Sequence, residues 1–203
     1  MAIKIGGTSV INDSRQLQNV ASIDSATATA FNNAGVGGSN VGTKVTWSSA
    51  TSYTSVTFTG LSGATFIDVT FNALGGTAGN SSEPIIQLGT SGGIKTSGYE
   101  SQSGWMAFYA QSVGSGDQGF VWKALPQGAS GFMRLVKDEG NVWYASHSTN
   151  YGAGPSAGGG IVNLGGAITQ LRYTRINSGF GNGENMSSGA GVGNPWINVR
   201  WSY

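Results

Sequence analysis

The chain has 203 residues, of which 38% are hydrophobic and 10% aromatic, enough for one folded all-β domain with an appendage. Charged residues make up only 9%, against roughly 25% in an average soluble protein, and the formal net charge is +1. The ten Lys and Arg are scattered, so there is no basic cluster for nucleic acid, and the lack of cysteine removes disulfides and thiolate metal sites. Ser, Thr, Asn, Gln and Gly take the polar positions instead. So weakly charged a surface repels its own copies little, which suits a protein held in a larger assembly.

Met1 to Gly7 lacks the apolar core of a signal peptide, and no apolar run is long enough for a membrane span. The expectation is a protein made in the cytoplasm, with no membrane insertion. Residues 1–25 read as a particle-docking and oligomerisation arm. Ile3 and Ile5 form a minimal strand broken by Gly6-Gly7, and Val10-Ile11 follows. Leu17, Val20 and Ile23 then recur at a spacing of three. That spacing suits either an extended chain wound in three-fold fashion with two copies of itself or a short turn of amphipathic helix. In both cases the arm needs a partner to cover its apolar side. Residues 26–43, rich in Ser, Ala, Thr, Asn and Gly, read as a linker.

Strand signals recur from Lys44 onward, in an antiparallel β-sandwich domain expected over 44–203. Lys44 to Trp47 and Ser55 to Thr59 are short candidates. Thr65 to Phe71 alternates, with Ile67, Val69 and Phe71 on one face and Phe66, Asp68 and Thr70 on the other. Pro84 to Leu88 starts with proline, where a missing N–H costs least. Residues 89–104 read as a loop, Trp105 to Ala110 as a strand. Phe120 to Leu125, Phe132 to Lys137 and Val142 to Ala145 read as three consecutive antiparallel strands at the centre of the sandwich, the last two joined by the turn Asp138-Glu139-Gly140-Asn141. Residues 147–160 read as a loop, with His147 at its edge. Ile161 to Leu164 and Leu171 to Ile176 are strands, residues 177–195 a third long loop, and Trp196 to Tyr203 the closing strand. Short strands with no convincing helix between them, and no fixed repeat, predict an all-β, jelly-roll-like sandwich.

Two stretches resemble known proteins. The opening MAIKIGGTSVINDSRQLQNV is similar to the N-terminus of virion proteins of tailed bacteriophages, above all tail fibres of marine phages. Ser55 to Tyr99 resembles a β-sandwich module at the C-terminal end of phage tail fibre and tail-tip proteins. Its most specific piece is Gln87-Leu88-Gly89-Thr90-Ser91-Gly92-Gly93-Ile94 with Thr96-Ser97-Gly98-Tyr99. Trp143 to His147, Leu164 to Arg175 and the closing strand agree with it. The resemblance implies a homotrimeric virion appendage that attaches to a host surface, and it brings no catalytic residues. The family usually carries the module on a longer fibre, and this sequence has almost no shaft, so a capsid decoration or head fibre protein is the alternative.

No catalytic, cofactor or metal site is expected. His147 is the single histidine, and the carboxylates Asp68, Glu83, Glu100, Asp117 and Glu184 show no spacing that would pair them. The glycine strings, 158–160 among them, follow no strand-to-helix pattern and read as loops rather than phosphate cradles. Phe66, Phe71, Phe120, Trp122, Phe132 and Trp201 lie in strand runs and read as core. Tyr99, Trp105, Tyr151, Phe180 and Trp196 lie in or beside loops of small polar residues, the composition of recognition loops, and are the expected receptor-binding residues for a host polysaccharide. A free carbohydrate-binding module is a further alternative.

Overall fold

In a computed structural model of the chain, residues 3–5, 8–11, 27, 40–46, 55–74, 84–107, 110–122, 129–151, 154–176 and 195–203 are described, with the backbone alone at 3–5, 8–11, 105–107, 110–116 and 151. The chain divides into two units, Met1–Gly38 and Ser39–Tyr203. In the first, β1 (Ile3–Ile5) and β2 (Thr8–Ile11) pair as an antiparallel hairpin. Ile3 faces Ile11 and Lys4 faces Ser9, so Val10 is the extra residue of a bulge. The expected strand at Ile3–Ile5 is therefore present, but its backbone partner is the next segment of its own chain.

The second unit is a two-sheet antiparallel sandwich. Its strands are β3 (Asn40–Val41), β4 (Val45–Thr46), β5 (Val56–Thr59), β6 (Phe66–Leu74), β7 (Pro84–Thr90), β8 (Gly93–Ile94), β9 (Tyr99–Ala107), β10 (Ala110–Gly116), β11 (Phe120–Val121), β12 (Ala129–Lys137), β13 (Val142–Tyr151), β14 (Gly154–Asn163), β15 (Gln170–Arg175) and β16 (Trp196–Ser202). The large sheet runs β10-β9-β14-β13-β12-β6-β16-β3, with β4 also on β16, and the small one runs β11-β7-β15-β5, with β8 on β7.

Four nested pairs organise both sheets. Strands β3 and β4 pair with β16, β5 with β15, β6 with β12 and β7 with β11. Successive pairs alternate between the large and small sheets, which is the wind of a jelly roll. Two insertions widen the large sheet beyond β12. One is β13 and β14; the other is β9 and β10, between β8 and β11.

The alternation of β6 places Ile67, Val69 and Phe71 inside and leaves Phe66, Asp68 and Thr70 outward, as expected from its sequence. β16 does the same with Ile197, Val199 and Trp201. Trp122, which follows β11, ties the layers together. Its ring stacks on Phe71 of the large sheet at 4.6 Å and on Tyr173 of the small sheet at 5.5 Å. Burying that many aromatic carbons supplies much of the core's driving force.

Several expectations are corrected. Residues 40–43, assigned to the linker, carry β3 and lie in the sandwich unit. Phe120–Val121 does not pair with β12; it crosses to the small sheet and pairs with Ile85 and Ile86. The region 89–104 is occupied by β8 and most of β9, and 147–160 by the second half of β13 and most of β14. The Gly158–Gly160 string is thus a strand. A Cβ at Gly158 would run into the carbonyl oxygen of Gln102, one at Gly159 into that of Ala145, and one at Gly160 would crowd that of Glu100. Neighbouring backbones approach so closely there that only glycine fits.

Candidate binding face

Residues opposite one another in adjacent strands project to the same side, so the registers can be read as rows across the large sheet. One outward row is Ser202, Phe66, Val136, Tyr144, Ile161 and Glu100, crossing β16, β6, β12, β13, β14 and β9. The next is Arg200, Asp68, Arg134, Ser146, Gly159 and Gln102. The first row carries four contiguous apolar side chains, of which Val136 and Tyr144 are 43% and 46% exposed. Phe132, two outward positions along β12 from Val136, is 46% exposed. In the second row Arg134 Nε meets Asp68 Oδ1 at 3.0 Å, and the Arg134 guanidinium lies 4.8 Å from the Phe66 ring centroid. The outer face is thus an aromatic and aliphatic stripe beside a polar one. Phe66 and Phe132 belong to it and not to the core, whereas Phe71, Phe120, Trp122 and Trp201 are core as expected. The period-two pattern already contained this, since Phe132 shares parity with exposed Arg134.

At β9 both rows reach an open depression of about 930 Å³, and the second continues from Gln102 to Ser115 of β10. Glu100, Gln102, Asp117 and Ile161 line it together with Gly159 and Gly160. Glu100, Gln102 and Asp117 are exposed. The bend carrying Asp117 is fastened at the backbone. Tyr99 N–H donates to the Asp117 carbonyl at 3.0 Å, and Gln87 Nε2 donates to that of Gln118 at 2.7 Å. A Cβ at Gly119 would come within 2.8 Å of the Ile86 carbonyl oxygen, so that wall packs directly on β7. Spacing in the sequence did not bring Glu100 and Asp117 together; the β9–β10 hairpin does.

The aromatic residues expected to bind divide differently. Tyr99 is buried, 3% exposed, and belongs to the sandwich. Leu88 N–H donates to its hydroxyl oxygen at 2.7 Å, its hydroxyl reaches the Lys95 carbonyl at 3.3 Å, and its ring meets Phe120 edge-on at 5.1 Å. Burial pushes its hydroxyl pKa far up. Tyr99 is therefore a latch for its own loop, at the edge of the depression that it helps to line. Trp196 opens β16, half-buried, with the Lys44 ammonium 5.3 Å from its ring centroid. Trp105 lies on β9 opposite Ser112 and Ser156, and Tyr151 ends β13 opposite Gly154; the side chains of both lie outside the described residues. Phe180, Leu17, Val20 and Ile23 lie outside the described residues altogether.

The inner face changes character along the same strands. Val199, Val69 and Met133 continue as His147, Gly158 and Ser103. His147 is not at a loop edge. It is 4% exposed in the middle of β13, and neither ring nitrogen has a hydrogen-bond partner. Burial lowers its pKa to about 4, and the nearby Val121 backbone acts in the opposite direction. Ser103 and Ser156 share a hydrogen bond of 3.0 Å, and Ser101 Oγ accepts from Val121 N–H at 2.9 Å. Among the described residues no group of three or more His, Cys, Asp or Glu could hold a metal ion.

No protein-family model, curated protein or solved structure matches the chain. The candidate face stands on its own geometry: a continuously paired sheet carrying an apolar row that leads to a polar hollow.

Proposed function

We propose that the protein is a structural component of a tailed-bacteriophage particle, a short tail fibre or similar appendage that adheres to glycans of the host surface without chemistry. The observation that carries this reading is the outer face of the large sheet. A stripe of Phe66, Val136, Tyr144 and Ile161 lies open on a chain of very low charge, and it leads into a hollow of carboxylates and amides. Such a surface is built for contact. The resemblance of residues 1–20 and 55–99 to phage fibre proteins supplies the setting. In this reading residues 1–25 dock the chain to other virion proteins, and three copies assemble about a closed symmetry axis.

Electron microscopy of intact particles, with the chain tagged, tests the placement. The expected result is label on the tail, at a handful to a few dozen copies. Label over the shell in hundreds of copies would point instead to the capsid decoration reading, with which the jelly-roll wind agrees equally well, since it recurs in capsid and lectin domains alike. Absence from particles would overturn both.

A further inference from the structure

We infer that the hollow at β9 and the Tyr144 ring beside it form one carbohydrate site, selective for neutral or amino-substituted glycans over acidic ones; the inference rests on the adhesion reading above. Glu100, Gln102 and Asp117 are exposed, and among the described residues no hydrogen bond or ion pair ties up their side chains. The chain has nine acidic residues in all, so two at the mouth of one hollow, with no cation among the lining residues described, is a concentration of acceptors. Carboxylates bind hydroxyl groups by charge-assisted hydrogen bonds, stronger than neutral ones, and can take two neighbouring hydroxyls at once. The Gln102 amide adds both a donor and an acceptor.

The walls are set in advance. The Asp117 bend is pinned to Tyr99 and Gln87, and the glycines at 159 and 160 let β14 lie close against the backbones of its neighbours. A preformed hollow of this size lowers the ordering cost of binding. Ile161 offers an apolar surface for the C–H face of a sugar. One strand further, Tyr144 faces Ile161 directly across the β13–β14 ladder with its ring exposed. Two strand spacings, about 10 Å, separate the Glu100 and Tyr144 positions. A glycan held by its hydroxyls in the hollow therefore extends onto an aromatic platform. The charge fixes the selectivity. Two carboxylates repel uronic or sialic acid groups and favour neutral or cationic amino sugars.

The test uses the full chain on an array of bacterial surface polysaccharides grouped as neutral, amino-substituted and acidic. The paired variant Glu100→Gln with Asp117→Asn keeps the shape and removes the charge; Tyr144→Ala removes the platform. All three positions are exposed, so unfolding midpoints should match the unaltered protein. Retention on neutral or amino glycans that falls about tenfold or more in the paired variant, and also falls in Tyr144→Ala, supports the site. Preference for acidic glycans, or retention unchanged in both variants, overturns the site and leaves adhesion standing elsewhere on the molecule. Failure to hold any glycan, together with failure to bind host cells, removes the adhesion reading and the site with it.

Discussion

His147 occupies a place where the interior of the sandwich is in conflict with itself. Its row begins with Val199, Val69 and Met133, and the ring continues that packed layer without finding a partner for either nitrogen. A neutral ring tolerates this; a charged one does not. The folded pKa near 4 lies below the unfolded value of 6.5, so between these values the unfolded chain holds more protons. Stability is full above about pH 6.5 and falls as the pH drops towards 4, by about 3 kcal/mol for this one group. In His147→Leu the difference between urea midpoints at pH 7 and pH 4.5 should shrink by a corresponding part, and an unaltered difference would remove His147 as its source. Gly159 gives a second prediction at this scale. Alanine there would press its Cβ into the Ala145 carbonyl of the neighbouring strand, so Gly159→Ala should lower stability by about 1–3 kcal/mol in chemical denaturation.

At the scale of elements, strands with an apolar period of two were legible from sequence and strands without one were not. β6, β12 and β16 announce themselves because each has one face in the core: Ile67, Val69 and Phe71, then Met133 and Leu135, then Ile197, Val199 and Trp201. β14, β9 and the second half of β13 pack mostly serine, threonine and glycine on their inner side, beside Tyr99, His147 and Val162, so much of their composition is that of a loop. What holds them as strands is pairing on both sides, a tertiary property with no local sign. The Asp138–Asn141 turn was readable for the opposite reason, since Gly140 takes φ of +67°, which glycine adopts freely. Trp122 was readable as core but its task was not, because stacking between Phe71 and Tyr173 joins strands that are distant in sequence. Trp122→Ala should cost roughly 3–5 kcal/mol, read as a lower denaturant midpoint. A loss below 1 kcal/mol would mean that the two sheets are held together elsewhere.

At the scale of the whole molecule, the jelly-roll wind follows from four nested pairings, none of which joins consecutive strands. A sequence read in order shows neighbours, and so the β12–β13 hairpin was visible while the β7–β11 and β5–β15 pairs were not. The candidate site has the same origin, because Glu100 and Asp117 meet only through the return of β10 beside β9. The division of labour between the two units can be tested directly. Unit Ser39–Tyr203 contains every pairing of both sheets, including β3 on β16, and so it should fold without Met1–Gly38. Deleting residues 1–38 is expected to leave the thermal midpoint and the glycan retention per subunit unchanged, while the mass in solution falls from trimer to monomer and incorporation into particles is lost. The apolar residues of the arm, Ile3, Ile5, Val10, Ile11, Leu17, Val20 and Ile23, are then the assembly contacts. A deleted chain that still sediments as a trimer would move the symmetry contact into the sandwich. One that unfolds would show that the arm completes the fold of the sandwich and is no detachable dock.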